Sequence, residues 1–411
     1  MTALRLPRER GGAGATLAQL LDLLVDLAAA DPNLPQALHG HFMFTEQAAR
    51  NVHPRLTDWW LDEVATGRVF ANALVDPPAA TGIAGVVARR DPQDPDTLLL
   101  TGTKQYSTGT LLADWTLVTA HDDDGALQPM IVEVRGPGVE VKDDWDGIGQ
   151  RGTASGTTVF QDAPVPSWRR LDLERPATGP GFPLLWLILS ATQAGIARAA
   201  LEEFAGTLRR RSRSYQHAAS TSPAQDPVLQ HQIGAAAAQV RALRSVVLGA
   251  VPALEAALTA APRAAPAVGA EPHLDQGDGA AAFEAAHTEA WVAAASVSSV
   301  VSDLALQVTS DLFETAGASA VVAGKGLDRH WRNVRVLASH TPLPHRRRQI
   351  GDTLLNGTPA PLTADAVETP SPTAQIPGAR PRTATGLVAS CPPITPPLSQ
   401  SFEGSAHDHH R

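Results

Sequence analysis

The chain has 411 residues, of which 43% are apolar and 18% charged, with a formal charge of −9 and one cysteine. That length can bury a large core and allows two or three domains. The acidic balance argues against a general nucleic-acid binder, whose phosphate contacts need a basic face. The lone Cys391 excludes an internal disulfide framework and any zinc site built from several cysteines.

The first elements are helical. Thr16 is placed to cap a helix in which Leu17, Leu20, Leu21, Leu24 and Leu27 recur at helical spacing until Asp31-Pro32. Further helices are expected over Leu34–His41, Thr45–Asn51 and Thr57–Thr66. Asp76-Pro77-Pro78 marks a loop, since the residue before a proline is pushed out of the α region.

From Gly82 the period shortens. Val86-Val87, Leu98–Leu100, Thr116–Thr119, Met130–Val134, Val139–Val141 and Thr157–Phe160 read as six short strands separated by Asp, Pro and Gly turns. After Pro164-Val165-Pro166 the pattern returns to helix over Leu184–Arg213, Val228–Leu258, Ala280–Ala316, Leu327–Leu337 and from Arg346 to Leu355. The stretch from Ala261 to Gly279 reads as an exposed connector. Residues 361–411, rich in Pro, Ser and Thr and ending in a His407, His409, His410 cluster, read as a disordered tail.

The expected fold is α+β, mainly α. It comprises an N-terminal helical domain (1–81), a middle β-barrel domain (82–166), a C-terminal four-helix bundle (167–360) and the tail. No signal-peptide h-region is visible, and the apolar window Phe182–Ala200 carries Ser190, Thr192, Gln193 and Arg198. A soluble cytoplasmic protein without membrane or nucleic-acid contacts is therefore expected.

Gly147-Ile148-Gly149-Gln150-Arg151-Gly152 matches the dinucleotide pattern letter for letter. A true phosphate loop opens a helix, whereas Thr153–Phe160 is β-like, so this stretch is read as a strand connection.

Several motifs, in order, resemble the acyl-CoA dehydrogenase superfamily, and within it the reduced-flavin-dependent monooxygenases of the dibenzothiophene monooxygenase type. They are Thr101-Gly102-Thr103-Lys104 with Ser107-Thr108-Gly109, Asp143-Asp144-Trp145 through Ser155-Gly156-Thr157, Arg332-Asn333-Val334-Arg335, Ser339-His340-Thr341-Pro342 and Leu355-Asn356-Gly357. The resemblance covers roughly residues 4–360. Two departures are visible: relatives carry one or two further helices ahead of this chain's start, and they have polar residues and glycines where this chain has the proline-rich Leu74–Thr81 lid loop.

In dehydrogenases of this kind a glutamate removes the substrate's α proton. The matching positions here fall on or beside Thr341 and near Leu185, neither of which is a base at neutral pH. The resemblance therefore implies a monooxygenase that uses reduced FMN and O2 through a flavin C4a-(hydro)peroxide to oxidise a small heteroatom-containing or aromatic substrate. The FMN comes from a separate NAD(P)H-dependent flavin reductase, with FAD as the alternative cofactor. Such a site must be dry and must hold one well-placed proton donor or acceptor.

His340 is the residue for that role, the alternative reading being a surface histidine in a turn. Thr108 is the second catalytic candidate. The resemblance places Asn72, Lys104, Gln105, Tyr106, Ser107, Thr108, Trp145, Ala318, Ser319 and His340 around the flavin, with Ser155 just behind. It puts Arg213, in the basic run from Arg209, on the flavin phosphate of a neighbouring subunit, implying a homotetramer. No metal is implied. An FAD-dependent acyl-CoA dehydrogenase and a degenerate, non-catalytic flavoprotein-fold scaffold are the alternative functions.

Overall fold

The computed structural model describes residues 1–48, 54–171, 181–261 and 278–361. Four helices come first: α1 (Leu17–Ala30), α2 (Asn33–Ala37), α3 (His39–Ala48) and α4 (Pro54–Ala65). Thr16 caps α1 as its sequence demands. Its hydroxyl accepts from Gln19 N at 3.1 Å and the Gln19 side chain accepts from Thr16 N at 2.9 Å, a reciprocal capping box.

Seven strands follow: β1 (Phe70–Ala73), β2 (Val87–Arg90), β3 (Thr97–Lys104), β4 (Trp115–His121), β5 (Leu127–Glu133), β6 (Val139–Val141) and β7 (Thr158–Pro166). They form one sheet in the order β1-β4-β2-β3-β7-β6, with β5 added to β4. The six expected strands are all present, and β1 is a seventh. Its four residues are buried on both faces and show no alternation to mark them. β1 runs parallel to β4, so the sheet begins before the proline-rich loop and not after it.

β7 also runs on past Phe160 through Pro164 and Pro166. β6 pairs with β7 only over residues 158–160. The proline end of β7 is therefore an edge, where a missing N–H does no harm.

The remaining helices are α5 (Gly181–Arg210), α6 (Pro227–Gly249), α7 (Val251–Ala260), α8 (Asp278–Asp311), α9 (Phe313–Ala316), α10 (Arg329–Ala338) and α11 (Leu343–Asn356). The single helix expected over 228–258 is broken at Ala250, where Pro252 sits in the first turn of α7 and cannot continue the preceding hydrogen-bond ladder. The run expected over 280–316 likewise stops at Asp311 before the short α9. Of the expected connector and tail, residues 262–277 and 362–411, including Cys391, lie outside the described residues, as does Asn51.

One apolar core joins α1, α3, α4, α5, α6, α7 and α8, and reaches Phe70, Trp115, Leu117 and Ile131 of the sheet. A second core, with Val86, Leu100, Val118, Met130, Val132, Phe160 and Val165, fills the other side of the sheet. Gly181–Arg210, Pro227–Ala260 and Gly279–Ala316 are long and apolar enough to cross a membrane by length and composition. In the first of these, 83% of the apolar window is buried inside the protein, so its hydrophobicity serves the core.

Candidate active site

Three chain segments that are distant in sequence meet around the corner between α2 and α3. His39 opens α3, is 3% exposed, and its Nδ1 lies 2.6 Å from Gln36 O. A carbonyl only accepts, so His39 carries its proton on Nδ1 and leaves Nε2 as an acceptor. Two residues on, His41 is sealed from water. Its Nε2 donates to Thr2 O at 2.9 Å and its Nδ1 accepts from Phe70 N at 3.2 Å, which ties α3 to β1. Burial holds both imidazoles below their ordinary pKa, His41 at about 4.

The imidazole of His340, between α10 and α11, meets that of His39 edge to face, with ring centroids 6.0 Å apart. His340 itself is exposed, in the turn between α10 and α11. Desolvation, then the nearby His39 and Arg346, push its pKa down to about 3, leaving a neutral ring at pH 7. His39 was missed in the sequence. A histidine in a helical run carries no signal until the fold sets a second one beside it.

The β module supplies the opposite side. Gly109 bends the chain at φ +77, where a Cβ would lie 2.2 Å from Ala37 O, so only glycine allows this loop to touch the end of α2. The loop holds Tyr106, in the left-handed region at φ 53 and 55% exposed, with its ring edge-to-face on half-buried Trp145 at 6.1 Å. Ser107 is fully buried and its Oγ has no partner among the described residues. Thr108 Oγ1 lies 2.9 Å from Ser155 Oγ, which lies 2.8 Å from Thr153 Oγ1, a chain of hydroxyls under the loop. Asn72, on β1, is 9% exposed and its Oδ1 has no partner either.

The glycine motif from Gly147 is a clasp. Gln150 N donates to Asn333 Oδ1 at 2.7 Å, Arg332 donates to Ile148 O at 2.8 Å, and Gly152 N donates to Asn33 Oδ1 at 3.1 Å. A Cβ on Gly149 would lie 2.5 Å from Arg332 O, so the contact with α10 requires glycine. The turn leads into a strand, and no helix N-terminus stands there to hold a phosphate.

Other predicted residues lie in different settings. Lys104 is 0% exposed; its Nζ is 2.6 Å from Asp76 Oδ1, 3.0 Å from Thr119 Oγ1 and 3.3 Å from Leu74 O, so it anchors the proline-rich loop. Gln105 pairs with Val75 of the same loop. Arg213 is exposed, beside a shallow depression lined by Ser214, Tyr215, Gln216 and Thr221 that includes none of the other predicted residues. Ala318 and Ser319 are exposed in the turn after Gly317.

Two orphaned polar atoms, Asn72 Oδ1 and Ser107 Oγ, fit the donor-and-acceptor edge of a flavin ring, for buried polar atoms of this kind need partners. With Tyr106 and Trp145 offering aromatic surface beside them, the residues present fit FMN.

The acyl-CoA dehydrogenase C-terminal domain matches residues 187–344. A dibenzothiophene monooxygenase of Mycolicibacterium goodii is 27% identical over 384 residues, covering 87% of this chain and 85% of its own. A probable FMNH2-dependent monooxygenase of Pseudomonas putida is 26% identical, covering 88% and 87%. Among solved structures, the methanesulfinate monooxygenase of Pseudomonas fluorescens and the FMN-bound dibenzothiophene monooxygenase of a Paenibacillus species each superpose with a TM-score of 0.75 over 88% of this chain and 89% of theirs, at 23% and 24% identity.

Proposed function

Starting from a chain that has the acyl-CoA dehydrogenase fold and is a homologue of the dibenzothiophene-type flavin monooxygenases, we propose an FMN-dependent monooxygenase whose reacting centre lies between His340, His39 and the 105–110 loop. Reduced FMN, delivered by a separate reductase, supplies the activation of dioxygen when bound. Asn72, Ser107, Thr108, Tyr106 and Trp145 hold the flavin, and the substrate is a small heteroatom-containing or aromatic molecule. The expected boundary at residue 81 moves ahead of β1, because Phe70–Ala73 already belongs to the sheet; the proposed organisation is helical up to that strand, a β domain through Pro166 and a helical bundle over 167–360, assembled as a cytoplasmic homotetramer.

The single observation that carries this reading is the His39–His340 pair. His39 is buried and both rings have lowered pKa values, so both are neutral at pH 7 and can hydrogen-bond at the reacting oxygen without placing a fixed charge beside it. Dehydrogenation has no comparable support, because the positions where the resemblance would put a base fall on or beside Thr341 and near Leu185.

Titration with reduced FMN and FAD, followed by oxygen with and without reductase and NAD(P)H, tests the reading. Substrate oxygenation is expected only with the reductase present, and FMN is expected to bind more tightly than FAD. A folded protein that takes up neither flavin would sink the proposal. His340→Phe is expected to bind flavin normally yet release several-fold more hydrogen peroxide per NAD(P)H, a loss in the range of one acid–base group's contribution. Unchanged coupling in that variant would remove His340 from the chemistry.

A further inference from the structure

Arg346 lies in the first turn of α11, where the positive end of the helix already disfavours a cation. It is 3% exposed, and no carboxylate pairs with it among the described residues. Its neighbour Arg347 does pair, with Asp303. The Arg346 guanidinium lies 4.5 Å from the centroid of Trp186 and donates from Nη1 to Ser298 Oγ, while its Nε is buried without a partner.

Two further donors are stranded in the same cluster. Trp186 and Trp291 meet edge to face at 4.7 Å, are 2% and 3% exposed, and neither indole N–H has an acceptor among the described residues. Three unpaired donors on touching side chains, one of them charged, form an environment that lacks an anion. A buried guanidinium without a counter-charge is costly, and folds ordinarily avoid it. Arg346 lies six positions after His340 in the chain, and its charge is felt at that ring.

We propose that Arg346, Trp186 and Trp291 bind a small oxyanion, so that the substrate processed at His340 carries a carboxylate, sulfinate or sulfonate group. The inference rests on the monooxygenase reading for the fate of this anion, but not for its capture. The guanidinium fork takes two oxygens and the indoles take what remains, while Ser298 holds the fork in place.

Calorimetric titration of the full chain saturated with oxidised FMN, and of the flavin-free chain, tests this with benzenesulfinate and acetate. Methyl phenyl sulfoxide and acetamide serve as the uncharged counterparts. At least one anion is expected to bind about tenfold or more tightly than its counterpart, and Arg346→Met to lower that affinity by about thirtyfold or more. The same variant should change binding of the uncharged compound and of FMN by less than about threefold. If Arg346→Met does not fold, Trp291→Phe keeps the ring packing, removes one N–H, and should weaken the anion about five- to tenfold.

Equal binding of charged and uncharged compounds, no anion binding at all, or a loss of FMN affinity in place of anion affinity would each overturn the proposal. Intact anion binding in a protein that never oxygenates would instead count against the monooxygenase reading alone.

Discussion

At the scale of single residues, the buried histidines set the behaviour with pH. His41 titrates near 6.5 when unfolded and about 4 when folded, so between those values the unfolded chain holds the extra proton. Its contribution to stability is complete above about pH 6.5 and lost as pH falls to about 4. The shift corresponds to on the order of 3 kcal/mol. Urea melts across pH 4–8 should show this decline, and His41→Gln should flatten it.

Ser107 makes a second case. With its Oγ buried and unpartnered, Ser107→Ala is expected to leave unfolding stability equal or up to about 1 kcal/mol higher, while lowering FMN affinity roughly tenfold. A stability loss with unchanged FMN affinity would show that Ser107 serves the fold and not the flavin.

At the scale of elements, what the sequence disclosed depended on whether a signal was local. The Thr16 capping box and the leucine stripe of α1 are local, and both stand as read. β1 gives no local signal because a four-residue strand buried on both faces has no alternation, and the break before α7 is marked only by Pro252 within an otherwise continuous apolar pattern. The candidate site divides in the same way. His340 and the 105–110 loop were legible from motifs, whereas His39, Arg346 and the two indoles acquire meaning only from neighbours on other elements. Even Lys104, picked out by its motif, turns out to hold a loop.

That loop gives an element-scale test. Asp76→Ala removes the carboxylate from a fully buried ammonium, which keeps Leu74 O and Thr119 as partners. A destabilisation of about 2–3 kcal/mol is expected, less than for a fully enclosed pair because the Asp76 side chain is about a third exposed. Chemical denaturation of the variant beside wild type measures it.

At the scale of the whole molecule, Arg213 stands apart from the other predicted site residues. It lies in solvent within a run of exposed residues, with no carboxylate in contact among the described residues. If its role is to hold a flavin phosphate across a subunit boundary, Arg213→Ala should weaken FMN about ten- to fiftyfold, and dilution that dissociates the oligomer should weaken wild-type binding likewise. Light scattering run beside the FMN titration separates the two: affinity that is independent of both substitution and assembly would leave Arg213 an ordinary surface cation.

The anchoring of the proline-rich loop gives it two unequal halves. Gln105 N donates to Val75 O at 2.8 Å, and Lys104 grips Asp76, so the first residues share the fate of the sheet. Past Asp76 the chain carries Pro77 and Pro78 and exposes Ile83 at 47%. Amide exchange should therefore change abruptly along this stretch, from slow at Gln105 to fast between Ala80 and Ile83. The exposed segment between is thus tethered at both ends, at Asp76 and at Ala84, whose carbonyl accepts from Thr103 N at 3.1 Å.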